Sequence, residues 1–431
     1  MTQLPWWDPS CLATAMARHF GEEGLVWLDG DGSQLGQRAL LAAAPQRQLR
    51  CCGLPGQPGS ADPFEALEEI QQNRNGIWLG WLAYEAGAWV EPGRHWQKPD
   101  MATLWAGCYG VVVQLDLQHQ QLWLSGDGPQ RQALEALIRS GPELSEPGVA
   151  QMGVAIDQWH WHTTISEFER QVATVQAWIG AGDLFQANLT ACAEHNLTIK
   201  SSALQLYQRL RRRCPAPFGG VMVASNAEAV LSASPERFLS CDAAGNVETR
   251  PIKGTRPRHQ DPDLDAAAAA ELVSSPKDRA ENVMIVDLLR NDLGRVCTTG
   301  SIEVPQLVGL ESYAQVHHLT SVVSGKLRPD QNPVALLRAC WPGGSITGAP
   351  KISACSHLNQ LEPVARGPYC GSFFRFNVDG SFDSNLLIRS VMLRDKRLRI
   401  HGGCGIVADS NPEQEAAELG WKIQPLLAAL S

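Results

Sequence analysis

The chain has 431 residues, of which 44% are hydrophobic and 19% are charged, a composition typical of a folded protein and not of a disordered one. Its formal net charge of −9 argues against nucleic acid or an anionic membrane surface as the main partner. The length is too great for one simple core, so we expect two or three domains or one large interlocked domain.

No targeting or membrane segment is evident. Residues 1–7 have neither the basic region nor the apolar stretch of a signal peptide, and no run in the chain is long and apolar enough to span a membrane. The twelve cysteines are scattered, without a Cys-x-x-Cys pair or a Cys/His spacing that suits zinc. We therefore expect reduced cysteines, mostly in the core, and a cytoplasmic protein.

The first part of the chain, to about residue 125, mixes short β-like runs with turns. Strands are predicted over 78–82 and 105–117, and a return strand over 121–125 forms a hairpin with the second. Breakers then surround a short helix; they are Asp127-Gly128-Pro129, Ser140-Gly141-Pro142 and Glu146-Pro147-Gly148. These breakers predict a β-rich N-terminal region, 1–150, that packs on a second region, 151–431.

The second region begins with a well-marked helix. Thr164 and Glu167 fit a capping box, and Gly180 or Gly182 is expected to end the helix. A strand over 184–191 follows. Just before the helix, Trp and His alternate over 159–162, which is more typical of a strand edge than of a metal site.

Three later helices are predicted: an alanine-rich one over 265–272, one from Pro276 to about Arg290, and a final one over 412–430. The C-terminal part is otherwise a β-meander, with Asp379-Gly380 as a hairpin turn. The stretch 402–405 leads from the last strand toward the final helix. Many strands with segregated helices favour an α+β fold over a regular βαβ fold.

Lys253 is a candidate nucleophile. It lies in the run 251–256, Pro-Ile-Lys-Gly-Thr-Arg, between a strand-like stretch and a long helical stretch. Proline and glycine allow a sharp, fixed turn at this point, and a lysine that its neighbours keep deprotonated can act as a nucleophile. The alternative is a turn lysine that points into water.

Two acidic pairs are candidate metal ligands. Asp278 and Glu281 are three residues apart, as are Glu415 and Glu418, so each pair shares a helix face. Repulsion within each pair would be costly if buried, and Mg2+ between the two helices would remove it, since carboxylate oxygens suit this ion. The alternative is a solvated helix face on which Glu418 pairs with Lys422.

Two glycine-rich stretches are candidates for anion contacts. Residues 343–351 lack the lysine of a phosphate loop in the required position, but backbone N–H groups at a helix start, with Pro350 in the first turn, can still bind an anion. Residues 402–405 would let a ligand carboxylate approach the backbone closely. The alternative for both stretches is a tight turn.

These and other segments resemble the chorismate-utilising enzymes, the family of anthranilate synthase component I, isochorismate synthase and aminodeoxychorismate synthase component I. The matching segments are 234–237, 251–256, 281–292, 315–319, 343–351, 367–371, 388–389, 403–407 and 415–422. The N-terminal region matches weakly, through residues 79–87. The resemblance implies a large antiparallel β-sandwich core with helices packed on its outer faces.

Two positions indicate the branch of the family. Aminodeoxychorismate synthases carry lysine where Lys253 stands, and other branches usually carry alanine. The resemblance implies that this lysine attacks C2 of chorismate and expels the C4 hydroxyl, and that ammonia then attacks C4 and expels the lysine. Water-using relatives have a lysine base where Gln186 stands, and glutamine cannot act as that base. Ser345 also resembles the aminodeoxychorismate branch.

The resemblance implies roles for further residues. Glu281 and Glu418 resemble direct Mg2+ ligands, with Asp278 and Glu415 acting through water. Glu236 resembles the general acid that protonates the departing hydroxyl. The residues implied in substrate binding are Gln186, Thr255, His318, Ser345, Tyr369, Arg389, Gly403, Gly405 and Lys422. For His318 the alternative is a core histidine with satisfied hydrogen bonds.

The sequence contains no glutaminase motif, so the resemblance implies a separate glutamine amidotransferase subunit that supplies ammonia for 4-aminobenzoate and folate biosynthesis. The expected enzyme is a transferase acting on chorismate. Two alternatives stay open. One is anthranilate synthase component I, a lyase that gives anthranilate and pyruvate. The other is a subunit that binds chorismate without catalysis.

Overall fold

The computed structural model describes residues 1–92, 95–141, 154–198, 201–225, 227–313 and 316–431. Two large antiparallel sheets and a set of helices make up these residues, which confirms the predicted α+β class with a β-sandwich core. None of the described helices has the length and apolar character needed to cross a membrane. All twelve cysteines are free thiols.

The strands are mostly short and alternate with tight turns. They are β1 (Thr2–Leu4), β2 (Val26–Asp29), β3 (Arg38–Ala42), β4 (Arg47–Cys51), β5 (Ile77–Leu82), β6 (Leu104–Tyr109), β7 (Val111–Asp116), β8 (Gln121–Gly126), β9 (His160–Trp161), β10 (Gln186–Asn196), β11 (Phe218–Ser225), β12 (Glu228–Ser234), β13 (Arg237–Cys241), β14 (Asn246–Thr249), β15 (Ile252–Pro257), β16 (Glu303–Ser312), β17 (Val316–Lys326), β18 (Gly348–Ala349), β19 (Ser372–Phe376), β20 (Phe382–Asn385), β21 (Ser390–Arg394) and β22 (Arg397–Ile406).

The helices mostly start at a proline or at a capping side chain. They are α1 (Pro9–Phe20), α2 (Pro63–Gln72), α3 (Gly87–Val90), α4 (Arg131–Arg139), α5 (Ile165–Ala181), α6 (Ala203–Arg213), α7 (Pro262–Ser274), α8 (Pro276–Gly294), α9 (Pro333–Cys340), α10 (Lys351–Leu361) and α11 (Pro412–Leu430). Short 3-10 turns cover Tyr84–Ala86, Ile156–Gln158 and Gly344–Ile346.

Both sheets take strands from the two ends of the chain. The first runs in the order β1-β8-β7-β3-β2-β11-β12-β21-β22-β10-β18, and the second in the order β15-β17-β14-β13-β20-β19-β5-β6-β4. In the first sheet β2 pairs with β11, and in the second β5 pairs with β19. The predicted division at residue 150, with the breaker Glu146-Pro147-Gly148, lies outside the described residues and stays a prediction.

Alternation along the strands separates two apolar clusters. On β2, Val26 packs in the cluster between the sheets, and its neighbour Trp27 packs in the cluster on the opposite face of the first sheet. Val230 and Leu231 on β12 divide in the same way. Because successive strand side chains point to opposite faces, β2 and β12 each serve both clusters. Helices cover the outer cluster, with Ile423 of α11 among their buried residues.

Local sequence signals placed several elements correctly. Thr164 and Glu167 form the capping box of α5, and Gly182 ends that helix in the left-handed conformation with φ +86°. Asp379-Gly380 lies in the turn between β19 and β20, with Gly380 at φ +87°. The helices predicted over 265–272, from Pro276 and over 412–430 are α7, α8 and α11, and residues 160–161 pair with β10 as an added strand.

Three predicted elements were wrong in part. Residues 105–117 are two strands, β6 and β7, which belong to different sheets and meet at Gly110. Residues 402–405 lie inside β22, paired with β10, and not in a connection. Pro350 is the residue before α10 and not in its first turn. Local signals do not decide these boundaries. Pairing with a distant strand decides them, or the position at which a strand at the sheet edge begins.

The strand predicted over 184–191 is β10, which starts at Gln186 and continues to Asn196.

Substitutions at two neighbouring glycines should have opposite effects on stability. Gly182→Ala is expected to lower the free energy of unfolding by about 1 kcal/mol, because a Cβ is disfavoured in the left-handed region. Gly180→Ala is the matched control. It lies inside α5 with no neighbouring atom within 4 Å of the added Cβ, so it should raise the free energy of unfolding, by up to about 1 kcal/mol. Urea unfolding of both variants checks this, and equal effects would contradict it.

Candidate active site

Lys253 turns its amine toward the protein interior. The register between β15 and β17 shifts between Lys253 and Thr255, and Gly254 between them has φ +81°. Such a bulge redirects the neighbouring side chains. The half-buried Lys253 donates a hydrogen bond from Nζ to the carbonyl oxygen of Ser345 at 3.0 Å. The amine is therefore not the solvent-directed turn group considered as the alternative.

Glu236 shares this serine with Lys253. It lies between β12 and β13, is 4% exposed, and accepts a hydrogen bond at Oε1 from Ser345 Oγ at 2.9 Å. Burial raises the pKa of Glu236 to about 7, against the opposing effects of the Lys253 charge, the Ser345 hydrogen bond and the Ile252 amide. A carboxyl group with this pKa exists in both protonation states near neutral pH, which suits a proton donor.

Gly405 leaves room beside the Lys253 amine. An alanine Cβ at this position would lie 2.6 Å from Gln186 Nε2, 3.3 Å from Glu281 Oε2 and 3.7 Å from Lys253 Nζ. The Gln186 amide, the Glu281 carboxylate and the Lys253 amine thus converge on Gly405, where β22 has no side chain. Gln186 is 1% exposed, and its Oε1 accepts no hydrogen bond from any described residue. An unpaired buried acceptor of this kind points to a ligand or water at this position.

The carboxylates of α8 and α11 interact electrostatically. Burial raises the pKa of Glu281; Lys253 and Lys277 oppose the rise, and Glu418 adds to it. At Glu418, burial raises the pKa but attraction to Lys422 outweighs it, and the net pKa is lowered. Glu418 and Lys422 form an ion pair at 2.7 Å, so the pairing considered as the alternative at this helix face does form.

The other two acids also have cationic partners. Glu415 is 2% exposed, pairs with Lys277 at 3.0 Å and accepts a hydrogen bond from Ser410 Oγ at 2.7 Å. Asp278 pairs with Arg256 at 3.2 Å. Both acids are thus paired with a cation, as Glu418 is with Lys422, whereas Glu281 forms no ion pair with the described residues.

The donor set fits a hard divalent ion. Glu281 accepts no hydrogen bond from the described residues, and its raised pKa reports unrelieved burial, which a cation would relieve. Ligand atoms of Cys404, Glu415 and Glu418 also lie within 4.8 Å of one another. Burial raises the pKa of the Cys404 thiol to about 12, so it stays protonated, and Mg2+ prefers carboxylate oxygen. The choice of Glu281 and Glu418 as direct ligands stays a prediction.

Lys422 links α11 to β22. Its amine donates to the carbonyl oxygen of Gly403 at 2.9 Å in addition to its pair with Glu418. Burial opposes its charge, but Cys404 and Glu418 together raise its pKa. Lys422 therefore stays cationic beside Gly403 of β22.

Thr255 and His318 form a polar pair at the same bulge. Thr255 Oγ1 and His318 Nδ1 are 2.8 Å apart. Burial, with a smaller effect from Arg389, lowers the pKa of His318 to about 3, so the imidazole is neutral. Its Nε2 has no hydrogen-bond partner among the described residues. His318 is thus not the satisfied core histidine considered as the alternative.

Tyr369 and Arg389 lie on neighbouring segments. Tyr369 is 3% exposed and stacks on His401 with ring centroids 5.1 Å apart and an interplanar angle of 13°. Arg389 has φ +51°, and burial lowers the pKa of its guanidinium. Within the described ranges the Arg389 guanidinium forms no ion pair, so it is available to bind an anionic group.

Not all predicted residues meet. Those that converge around Lys253 are Glu236, Ser345, Gln186, Gly405 and Glu281. The Arg389 guanidinium acts electrostatically on His318, which pairs with Thr255 at the Lys253 bulge. Sequence reasoning missed Lys277 and His401. Lys277 directly precedes Asp278 on the same helix turn, so its position next to a predicted acid could have identified it from the sequence. His401 is a lone histidine in a strand, and the sequence carries no comparable signal for it.

The comparisons with known proteins agree with this geometry. Residues 27–428 match the chorismate binding enzyme family. The chain belongs to this family. It is 37% identical over 390 residues to aminodeoxychorismate synthase component 1 of Klebsiella aerogenes, covering 89% of this chain and 81% of that one. It is 38% identical over 466 residues to an anthranilate synthase component I-like protein of Synechocystis sp., covering 100% and 93%.

A solved structure supports the fold. The crystal structure of anthranilate synthase component I from Streptococcus pneumoniae TIGR4 aligns with a TM-score of 0.76 at 27% identity, covering 91% of this chain and 92% of that one. The family resemblance drawn from the sequence motifs is therefore confirmed. The relatives carry two different names, so they do not by themselves decide which reaction this member of the family catalyses.

Gly405→Ala should inactivate the site. The added Cβ would enter the space between Gln186, Glu281 and Lys253, and a displacement of this kind is expected to lower kcat/KM for chorismate by about 100-fold. Gly294→Ala, at the end of α8, is the control, since its Cβ meets only Ile302 at 3.9 Å. Chorismate consumption in both variants checks this, and equal activity would contradict the proposed crowding.

Glu236→Gln should change how stability depends on pH. The folded pKa of about 7 lies above the ordinary 4.5, so the stability tied to protonated Glu236 is full below the ordinary value and is lost as pH rises through about 7. At higher pH the loss is about 3 kcal/mol. Glutamine cannot ionise, so the variant lacks this loss. Unfolding by urea across pH checks this, and a wild-type-to-variant difference that does not vary with pH would contradict it.

Proposed function

We propose that this protein aminates chorismate at C4 to give 4-amino-4-deoxychorismate, by way of a covalent adduct between Lys253 and C2. The product serves 4-aminobenzoate and folate biosynthesis. The observation that carries the proposal is the hydrogen bond of the Lys253 amine to Ser345, whose hydroxyl in turn bonds the buried Glu236. Family membership and the name of the Klebsiella relative also support it.

The first step needs a nucleophile and an acid. Neutral Lys253 Nζ attacks C2, the ring double bonds shift, and the bond from C4 to its hydroxyl oxygen breaks. Protonated Glu236 donates its proton to that oxygen, which leaves as water. The new bond leaves Nζ with an extra proton, and the Glu236 carboxylate, within electrostatic reach of Lys253, can accept it.

The second step consumes ammonia. Ammonia attacks C4, the double bonds shift back, and the bond between C2 and Nζ breaks while Glu236 returns its proton to Nζ, so Lys253 leaves as a neutral amine. The surplus proton on the new C4 ammonium group then passes to the Glu236 carboxylate, which restores the starting protonation states. The sum is chorismate and ammonia giving aminodeoxychorismate and water. Gln186, beside this amine, has an amide that cannot deprotonate water, which favours ammonia as the nucleophile.

Charged and polar groups are available for both carboxylates of chorismate. Arg389 offers a two-pronged contact to the enolpyruvyl carboxylate, with Tyr369 as a second donor. The ring carboxylate would lie against the backbone of Gly403 and Gly405, beside Lys422. Thr255, His318 and Ser345 would line the ring pocket.

Mg2+ would be held directly by Glu281 and Glu418, with Asp278 and Glu415 acting through water. When bound, the ion would neutralise the ring carboxylate and the crowded acids. Without it, Glu281 stays a half-buried carboxyl with a raised pKa.

Ammonia would come from a separate glutamine amidotransferase subunit. The word "component" in the name of the Klebsiella relative supports a partnered enzyme. In the absence of the partner, free ammonium at alkaline pH would supply enough neutral ammonia to support turnover.

A second candidate is the anthranilate synthase reaction. The names of the Synechocystis and Streptococcus pneumoniae relatives favour it. An amine at Lys253, next to Gln186 and Glu281 around Gly405, counts against it, because that reaction needs ammonia in this space. A chain that only binds chorismate is disfavoured by Glu236, since a buried carboxyl with a pKa of about 7 is costly to keep without a task.

Chorismate and Mg2+ without ammonia should trap the adduct. Mass spectrometry is expected to find added mass on the peptide that contains Lys253 in the wild type and none in Lys253→Ala. Lys396→Ala, an exposed lysine in the turn between β21 and β22, is the control and should keep the adduct.

With ammonium present, the wild type is expected to accumulate aminodeoxychorismate and no anthranilate. Anthranilate as the product would reject the amination proposal in favour of the second candidate. Normal amination by Lys253→Ala would reject the covalent route alone.

A further inference from the structure

A buried ion pair lies just before the segment that carries Tyr369. Arg366 is 1% exposed and donates from Nε to Glu362 Oε2 at 2.8 Å and from Nη2 to Glu362 Oε1 at 2.6 Å. Desolvation offsets much of the attraction in such a pair, so its presence is weak evidence of a stabilising role. The other bonds of the two side chains indicate what the pair does.

The remaining donors of Arg366 hold the backbone of two segments of the site. Nη1 donates to the carbonyl oxygen of Ile346 at 2.8 Å, and Nη2 donates to that of Asn188 at 2.8 Å. Ile346 directly follows Ser345 in the 3-10 turn, and Asn188 is on the strand that begins with Gln186. One guanidinium therefore ties the turn to β10.

Glu362 completes the connection. Its Oε1 accepts a hydrogen bond from the backbone N–H of Thr190 at 2.9 Å, two residues beyond Asn188 on β10. The face of the guanidinium lies over the ring of Tyr84, with its carbon 4.6 Å from the ring centroid. The planar group is thus fixed from several sides, and its fork points at both carbonyls in a single orientation.

We propose that Arg366 is a positioning residue that fixes the location of Ser345, and through it the meeting of the Lys253 amine with the Glu236 carboxyl. This inference rests on the proposed function, because those two groups are the nucleophile and the acid of that reaction. Lysine at position 366 keeps the charge opposite Glu362 but replaces the planar fork with one ammonium group, which cannot hold both carbonyls in the same way.

Loss of this anchor has a signature in the pH profile. The Lys253 charge and the Ser345 hydroxyl both lower the pKa of Glu236, as does the amide of Ile252, while burial raises it. If Ser345 moves away with its turn, two of the lowering contacts weaken and the pKa of Glu236 rises. The reaction needs protonated Glu236, so its loss of activity at high pH would begin at a higher pH. Ser345→Ala should shift the profile in the same direction.

The test compares two arginine variants of the full chain. Arg366→Lys is assayed with chorismate, Mg2+ and ammonium chloride across pH. Arg211→Lys is the matched control, because Arg211 also pairs with a buried acid, Asp29 at 2.5 Å, and lies over an aromatic ring, that of Trp27. Both partners are on β2, which carries none of the candidate site residues. Both variants are expected to lower the Tm.

Only Arg366→Lys is expected to lower kcat, by on the order of 10- to 100-fold, with little change in KM for chorismate and with its alkaline limb moved to higher pH. An unchanged kcat and an unmoved limb, alongside a lowered Tm as in Arg211→Lys, would overturn the proposal, since the pair would then be only structural.

Two further results complete the test. If Arg366→Lys does not fold, Glu362→Gln is used in its place, because an amide keeps one acceptor but loses the charge-assisted fork. A lower kcat in that variant, with the alkaline limb of its pH profile moved to higher pH, supports the proposal. A kcat and an alkaline limb equal to those of the wild type overturn it. A wild-type chain that leaves chorismate unaltered overturns the proposed function and this inference together, and it is recognised because no substitution is involved.

Discussion

Ser345 joins the two groups on which the proposed chemistry depends, because its carbonyl oxygen accepts from Lys253 and its hydroxyl donates to Glu236. The serine is 8% exposed, so both bonds form where the effective dielectric constant is low and charges interact strongly. The Lys253 charge lowers the pKa of Glu236, so the protonation of this carboxyl is sensitive to small displacements of the amine. The segments that hold Ser345 are therefore as important as the two reacting groups themselves.

The charges around Lys253 are arranged in compensating sets. Glu281 and Glu418 face Lys253, and Lys277 and Lys422 lie among them from α8 and α11. A cluster of carboxylates without these cations would raise the basicity of every amine nearby. The two helices thus bring both signs of charge to one end of β22.

The space for a ligand comes from backbone and not from loops. Gly403 and Gly405 are inside β22 and paired with β10, where most residues would project a side chain toward Thr190 or Gln186. Glycine inside a strand weakens it, but β22 and β10 pair from Ala187 to Asn196, and this long ladder offsets the loss. A site built on paired strands is held more rigidly than one built on a connection.

Local signals in the sequence were enough for many elements. Thr164 with Glu167 and the Asp379-Gly380 turn depend only on residues a few positions apart, and both were predicted. The motif residues of the candidate site were also named from the sequence. The division of 105–117 between two sheets was not, because it depends on which distant strands pair on each side of Gly110. Nor was Arg366, whose hydrogen-bond partners lie up to 178 positions away along the chain.

Each sheet combines strands from the N-terminal and the C-terminal part of the chain, and this limits how the chain can be divided into fragments. A cut between residues 141 and 154 would leave β2 still bonded to β11 and β5 still bonded to β19, so a nicked protein would hold together through its backbone ladders. Made separately, each piece would carry open strand edges that readily recruit other chains into aggregates. A chimera that combines one of these pieces with the other piece of a relative would therefore also need matching strands in both ladders, β2 with β11 and β5 with β19.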